Sequence, residues 1–168
     1  KIVTQANSPA ADRNNHTVYT FENQLCVASN DDEQVYVSKN TRYFDFTFSS
    51  PRTPGQGVLM TLDDAAHGFG ELEDNLVIFA GKSSIYAGKP SEITVGSTLA
   101  ELFKMSKYQV GAGQSAQNQE VISQINNSLV YLSFEPAVRE ILSLSEVQGG
   151  GSPRTLSNPI KPDMDAEI

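Results

Sequence analysis

The longest uninterrupted apolar run in this 168-residue chain is five residues, Leu76-Val77-Ile78-Phe79-Ala80. A membrane-spanning helix needs about 20 such residues. Short runs broken by turn residues point instead to many short strands. Residues 17–21, 25–28, 35–37, 58–60, 75–80, 84–86, 92–95, 121–125 and 129–134 each read as one. The cleanest alternation is Arg42-Tyr43-Phe44-Asp45-Phe46-Thr47-Phe48. A period of two puts Phe44, Phe46 and Phe48 on a core-facing side and Tyr43, Asp45 and Thr47 on the other. Asn126-Asn127-Ser128 and Ala87-Gly88-Lys89-Pro90 each read as a hairpin connection.

Three stretches carry helical signals. Thr61 with Asp64 three residues on, closed by Gly68, predicts a turn or two of helix. Thr98 with Glu101 repeats the capping pattern ahead of Leu99, Leu102 and Phe103. Pro136 suits a first helical position, and Val138, Ile141 and Leu142 form an i, i+3, i+4 stripe. The expected fold class is therefore α+β, mainly β, with antiparallel sheets of short strands and two or three short helices. A polar arm over 1–16, one strand-rich domain over 17–148 and a flexible tail over 149–168 complete the expected organisation. The tail holds Gly149, Gly150, Gly151, Pro153, Pro159 and Pro162. Glycine raises the entropic cost of ordering and proline removes a backbone donor. Deleting 152–168 is expected to leave stability nearly unchanged.

Twelve basic against 20 acidic residues give a net charge of −8. Nucleic-acid binders neutralise phosphates with a basic stripe, and this chain carries none. Nucleic acid is excluded as a partner, and so is membrane insertion. Charged residues are only 19%, while Ser, Thr, Asn and Gln number 49. That balance suggests a secreted, periplasmic or surface setting. Asn15-His16-Thr17 and Asn126-Asn127-Ser128 match the glycosylation acceptor pattern. Cys26, the only cysteine, sits between Leu25 and Val27 and cannot form an internal disulfide. It reads as a small buried hydrophobe, with pairing between chains left open.

Catalytic patterns are incomplete. Ala80-Gly81-Lys82-Ser83 ends like a phosphate-binding loop, but Leu76 stands where the first glycine belongs. Asp63, His67 and Glu71 fall at i, i+4 and i+8, a spacing that would converge on a metal along a continuous helix. Gly68 and Gly70 interrupt that helix. Together with Asp64 these residues define the alternative reading of a small metal-dependent or acid/base hydrolase. Glu71, Glu73 and Asp74 read as an acidic turn able to meet a basic partner. Tyr43 is the aromatic best placed for ligand contact. No cofactor is expected.

The segment from Lys89 to Met105 is similar in outline to the strand–turn–helix of β-grasp, ubiquitin-like domains, over 17 residues. That resemblance implies an interaction module or a carrier. Carriers of this kind generally expose a C-terminal Gly-Gly, whereas Gly149-Gly150 is followed here by 18 residues. The leading expectation is a non-catalytic protein-binding or structural module that acts on a protein partner or by self-association.

Overall fold

The structure, a computed structural model, describes residues 16–29, 33–47 and 53–157. The expected arm lies outside these residues except for His16. Phe48 and residues 158–168 also lie outside them. Among the described residues the chain is mainly β, in three four-stranded antiparallel sheets. The first joins β1 (His16–Phe21), β2 (Gln24–Ser29), β3 (Gln34–Val37) and β4 (Val58–Thr61). The second joins β5 (Ala66–Leu72), β6 (Asn75–Ala80), β7 (Ser84–Val95) and β8 (Thr98–Gln109). The third joins β9 (Ile122–Ile125), β10 (Ser128–Leu132), β11 (Val138–Ile141) and β12 (Arg154–Thr155). Within each sheet neighbours in space are neighbours in sequence. Two-residue loops close several of these hairpins. Glu22-Asn23 and Glu73-Asp74 have positive φ at both positions, as type I′ turns require.

Among the described residues helix is confined to a 3-10 turn, Gln119–Val121, and the single turn α1 (Leu144–Val147). None of the three expected helices forms. Thr61 ends β4 opposite Gln34 rather than capping a helix. His67 belongs to β5, where Gly68 and Gly70 let neighbouring chain approach closely. A Cβ at Gly68 would lie 2.3 Å from Ile122 Cδ1, and one at Gly70 2.7 Å from Leu129 Cδ2. Leu99 to Met105 lies inside β8, so the β-grasp outline is not met. Its hairpin partner β7 runs straight through Ala87-Gly88-Lys89-Pro90 to turn at Gly96-Ser97, with Gly96 at φ 65. Proline interrupts a ladder because it has no N–H. Pro90 is tolerated because β6, six residues long, is half the length of β7. Val138 to Ile141 pairs with β10 and β12 instead of forming a helix.

The domain divides into two compact units, Lys1–Ala66 with Gly88–Met105, and His67–Ala87 with Ser106–Ile168. In the first unit, cross-strand register assigns the two faces of sheet one. One face holds Phe21, Cys26, Ala28, Val35, Val37 and Met60, all buried, with the Phe103 ring 6.2 Å from that of Phe21. Burial pushes the Cys26 thiol up to about 12. The other face carries one row, Val18, Val27, Tyr36 and Leu59, across all four strands. Val18 and Leu59 remain exposed.

In the second unit Leu72, Val77, Phe79, Ile85, Leu129, Tyr131 and Ile141 form the core, with Phe79 and Tyr131 rings 4.7 Å apart. The Tyr131 hydroxyl donates to the Gln114 carbonyl at 2.8 Å. Strand β5 lies at the edge of its sheet. There the Gln119 side chain accepts from the Phe69 N–H at 2.7 Å and donates to the Phe69 carbonyl at 3.1 Å.

Part of the expected tail is bound to the third sheet. Arg154–Thr155 is β12, paired with β11, and Pro153 and Ser157 are buried. The cause is Arg139, 4% exposed. Its Nε donates to Ser133 Oγ at 3.0 Å, Nη1 to Thr155 Oγ1 at 3.0 Å, and Nη2 to Glu135 Oε2 at 2.7 Å. A buried charge is tolerated only when paired and hydrogen-bonded, and the C-terminal segment supplies part of that set.

Candidate functional site

Over its described residues, 42–47, the expected strand does not form. Thr41 takes φ 59, a left-handed conformation that breaks an extended run. Asp45 then bonds its own neighbourhood. Its Oδ1 accepts from the Thr47 N–H at 3.1 Å and from the Thr47 hydroxyl. Such side-chain bonds give the backbone an alternative to a strand ladder. The result is a loop from Ser38 to Thr47 in the first unit.

This loop is tied down at many points. Ser38 is fully buried; its N–H donates to the Leu25 carbonyl, and its Oγ accepts from the Leu25 N–H, both at 2.8 Å. The Gln24 amide donates to the Ser38 carbonyl at 2.6 Å. The N–H groups of Asn40, Thr41 and Gly57 reach the carbonyls of Gly55, Asn23 and Thr47 at 2.9, 2.9 and 3.1 Å. The Lys39 N–H donates to the Asp45 carbonyl at 2.7 Å, and Lys39 Nζ lies 3.0 Å from Asp45 Oδ2. Phe46 is buried against Tyr36, their rings 6.4 Å apart and nearly perpendicular.

At the tip stand Arg42, Tyr43 and Phe44, all exposed. Phe44 is 87% exposed and Tyr43 42%. The alternation placed Phe44 in the core, and that expectation is overturned. Tyr43 is at the surface, as its register suggested. Arg42 and Phe44 are the residues sequence reasoning missed. The available signal was Asp45 two residues before Thr47, an Asx-turn pattern competing with the strand.

Hydrogen bonds from Thr47, then from Lys39, hold the Asp45 carboxyl down at about 2, against an ordinary 3.8. A lowered folded pKa means the brace contributes above about pH 3.8 and is lost as pH falls through about 2. A carboxyl-carbon NMR titration should give a midpoint near 2 for Asp45. Thr47→Val should move that midpoint back toward the ordinary value, and Thr47 amide exchange should quicken in the same window.

The other expected residues fall on a bend, on β5 and on the turn that follows it. Asp63 and Asp64 are exposed in a bend. His67 and Glu71 share β5, where four residues span about 13 Å. The His67 ring packs edge-on to Phe134 at 5.3 Å. Glu73 and Asp74 form the exposed β5–β6 turn, at φ 52 and 57. Among the described residues no three of His, Cys, Asp and Glu come together as a metal site. Nor is any helix among them long and apolar enough to cross a membrane. The chain matches no known protein family and no characterised protein.

Proposed function

We propose that this chain is a non-catalytic protein-binding module that grips its partner with Arg42, Tyr43 and Phe44. The observation that carries the reading is Phe44, 87% exposed on a loop braced at both ends. A solvated phenylalanine contributes nothing to folding, whereas aromatic and arginine side chains dominate binding energy at protein interfaces. A loop held by hydrogen bonds before binding also loses less entropy on docking. The net charge of −8 opposes an anionic membrane as partner. A secreted or surface location accords with the low charge and the polar composition.

The test uses immobilised full-length chain and titration of whatever it retains. Phe44→Ala should weaken binding about 30-fold, the equivalent of about 2 kcal/mol, and leave the melting temperature unchanged. Equal binding by wild type and Phe44→Ala would remove this site from the protein's function. The hydrolase alternative, with Asp63, Asp64, His67 and Glu71, stands second, because His67 and Glu71 lie about 13 Å apart along β5.

A further inference from the structure

The third sheet has two apolar sides. Register and burial set Leu129, Tyr131, Arg139 and Ile141 toward the core. The residues between them point the other way. There Leu132 lies opposite Val138. Leu156, whose N–H donates to the Val138 carbonyl at 2.8 Å, carries the row onto the C-terminal segment. Val130 stands two residues from Leu132 on the same side. Val130, Leu132 and Val138 are half-buried and Leu156 is exposed. Glu140 and Arg154 face each other on this side, 3.8 Å apart, with Arg154 exposed. The solvated face of an antiparallel sheet is usually polar. An apolar row on it marks a surface that something covers.

We propose that the cover is the chain's own segment 158–168, folded back across Val130, Leu132 and Val138 with Ile160 and Met164 as its anchors. The point of departure favours this occupant. Ser157 follows Leu156, which already belongs to the row. The segment does not prolong the β11 ladder: the Val138 N–H is taken by Ser157 Oγ at 2.9 Å, and Pro159 brings no N–H of its own. Length suffices, because eleven extended residues span up to about 36 Å, while strands β10 to β12 cover only about 10 Å. Pattern agrees as well. Ile160, Met164 and Ile168 continue from Leu156 at intervals of four. Asp163 and Asp165 bring carboxylates to a face whose exposed cation is Arg154. A tethered segment also competes at an effective concentration of about millimolar, which a separate partner has to exceed. The inference goes beyond the Arg42–Phe44 reading and does not depend on it.

The experiment places a nitroxide at position 166 of the full-length chain through Ala166→Cys. Cys26 is fully buried with its thiol pushed up to about 12, so the reagent takes position 166 alone. Methyl NMR then reads how strongly the label broadens Val130, Leu132 and Val138. A second labelled chain adds Ile160→Ser and Met164→Ser, which keep the tether and remove the anchors. Unshifted Leu129 and Ile141 methyls, on the core side, show that the sheet is intact in both. Docking predicts strong broadening of the three methyls in the first chain and its loss in the second. Equal broadening in both chains would overturn the proposal, since the tether alone would then bring the label near. A mixture of labelled chain with isotope-labelled, nitroxide-free chain completes the test. Docking within the chain predicts no broadening there, and broadening in the mixture would put a second copy's segment on the face and overturn the assignment.

Discussion

Deleting residues 152–168 should lower the melting temperature by roughly 10 °C. The deletion takes Thr155 Oγ1 and the Pro153 carbonyl from Arg139, and Ser157 Oγ from the Val138 N–H. Arg139, 4% exposed in the full chain, would keep Ser133 and Glu135 but lose the partners that the deleted segment supplies. Breaking up a buried charged set costs about 3–5 kcal/mol. For a chain of this size each kcal/mol moves the transition by about 2–4 °C. Scanning calorimetry of the deletion and of a shorter one lacking 158–168, which removes none of these partners, separates the contributions. An unchanged transition in the longer deletion would mean that Arg139 finds its partners elsewhere. Arg139→Met should cost less than the deletion, because an apolar side chain leaves no charge to satisfy.

Gly88→Ala should be the most damaging single methyl in the first unit. The added Cβ would fall 2.0 Å from the Lys104 carbonyl oxygen and 2.8 Å from Met105 Sδ. A thioether can swing aside, but a backbone carbonyl in the partner strand moves only if the hairpin opens. Overpacking of this kind costs about 3 kcal/mol or more. Urea denaturation should show a lower midpoint, and adding Met105→Ala should fail to restore it. Recovery in the double variant would place the strain in the side chain instead of the carbonyl.

The sequence carried strand content well and strand boundaries poorly, for identifiable reasons. The Asn126-Asn127 turn was legible because two apolar runs flank it and Asn126 accepts a left-handed φ of 54. At residues 87–97 two turn signals competed. Gly88 and Pro90 looked like punctuation, while Gly96-Ser97 made the turn. Leu99, Leu102 and Phe103 fit a helical stripe, and Thr98 with Glu101 fit its cap; a 12-residue partner strand outweighed both. Local propensity is a weak prior against such pairing. The same limit hid the site. Alternation in 42–48 located the aromatics correctly and gave Phe44 the wrong environment, because the deciding contacts of Asn40, Thr41 and Lys39 are with Gly55, Asn23 and Asp45. Arg139 was illegible for a related reason. Nothing local to Val138–Ile141 announces a buried guanidinium whose partners stand on two separate segments, 133–135 and 153–155.

Gln119 gives β5 a counterfeit neighbour. A real adjoining strand would offer a carbonyl to the Phe69 N–H and an N–H to the Phe69 carbonyl, and one carboxamide offers both. Sheet edges are where chains polymerise, since a bare row of donors and acceptors templates the next strand. The plug occupies the middle of that row, so a growing fibril would have to evict an amide before it could zip along β5. Solubility at high concentration is therefore expected to depend in part on this one side chain. Replacing it with leucine would withdraw two hydrogen bonds from the backbone of buried Phe69, so the cost should surface both in turbidity over days and in a lower melting temperature.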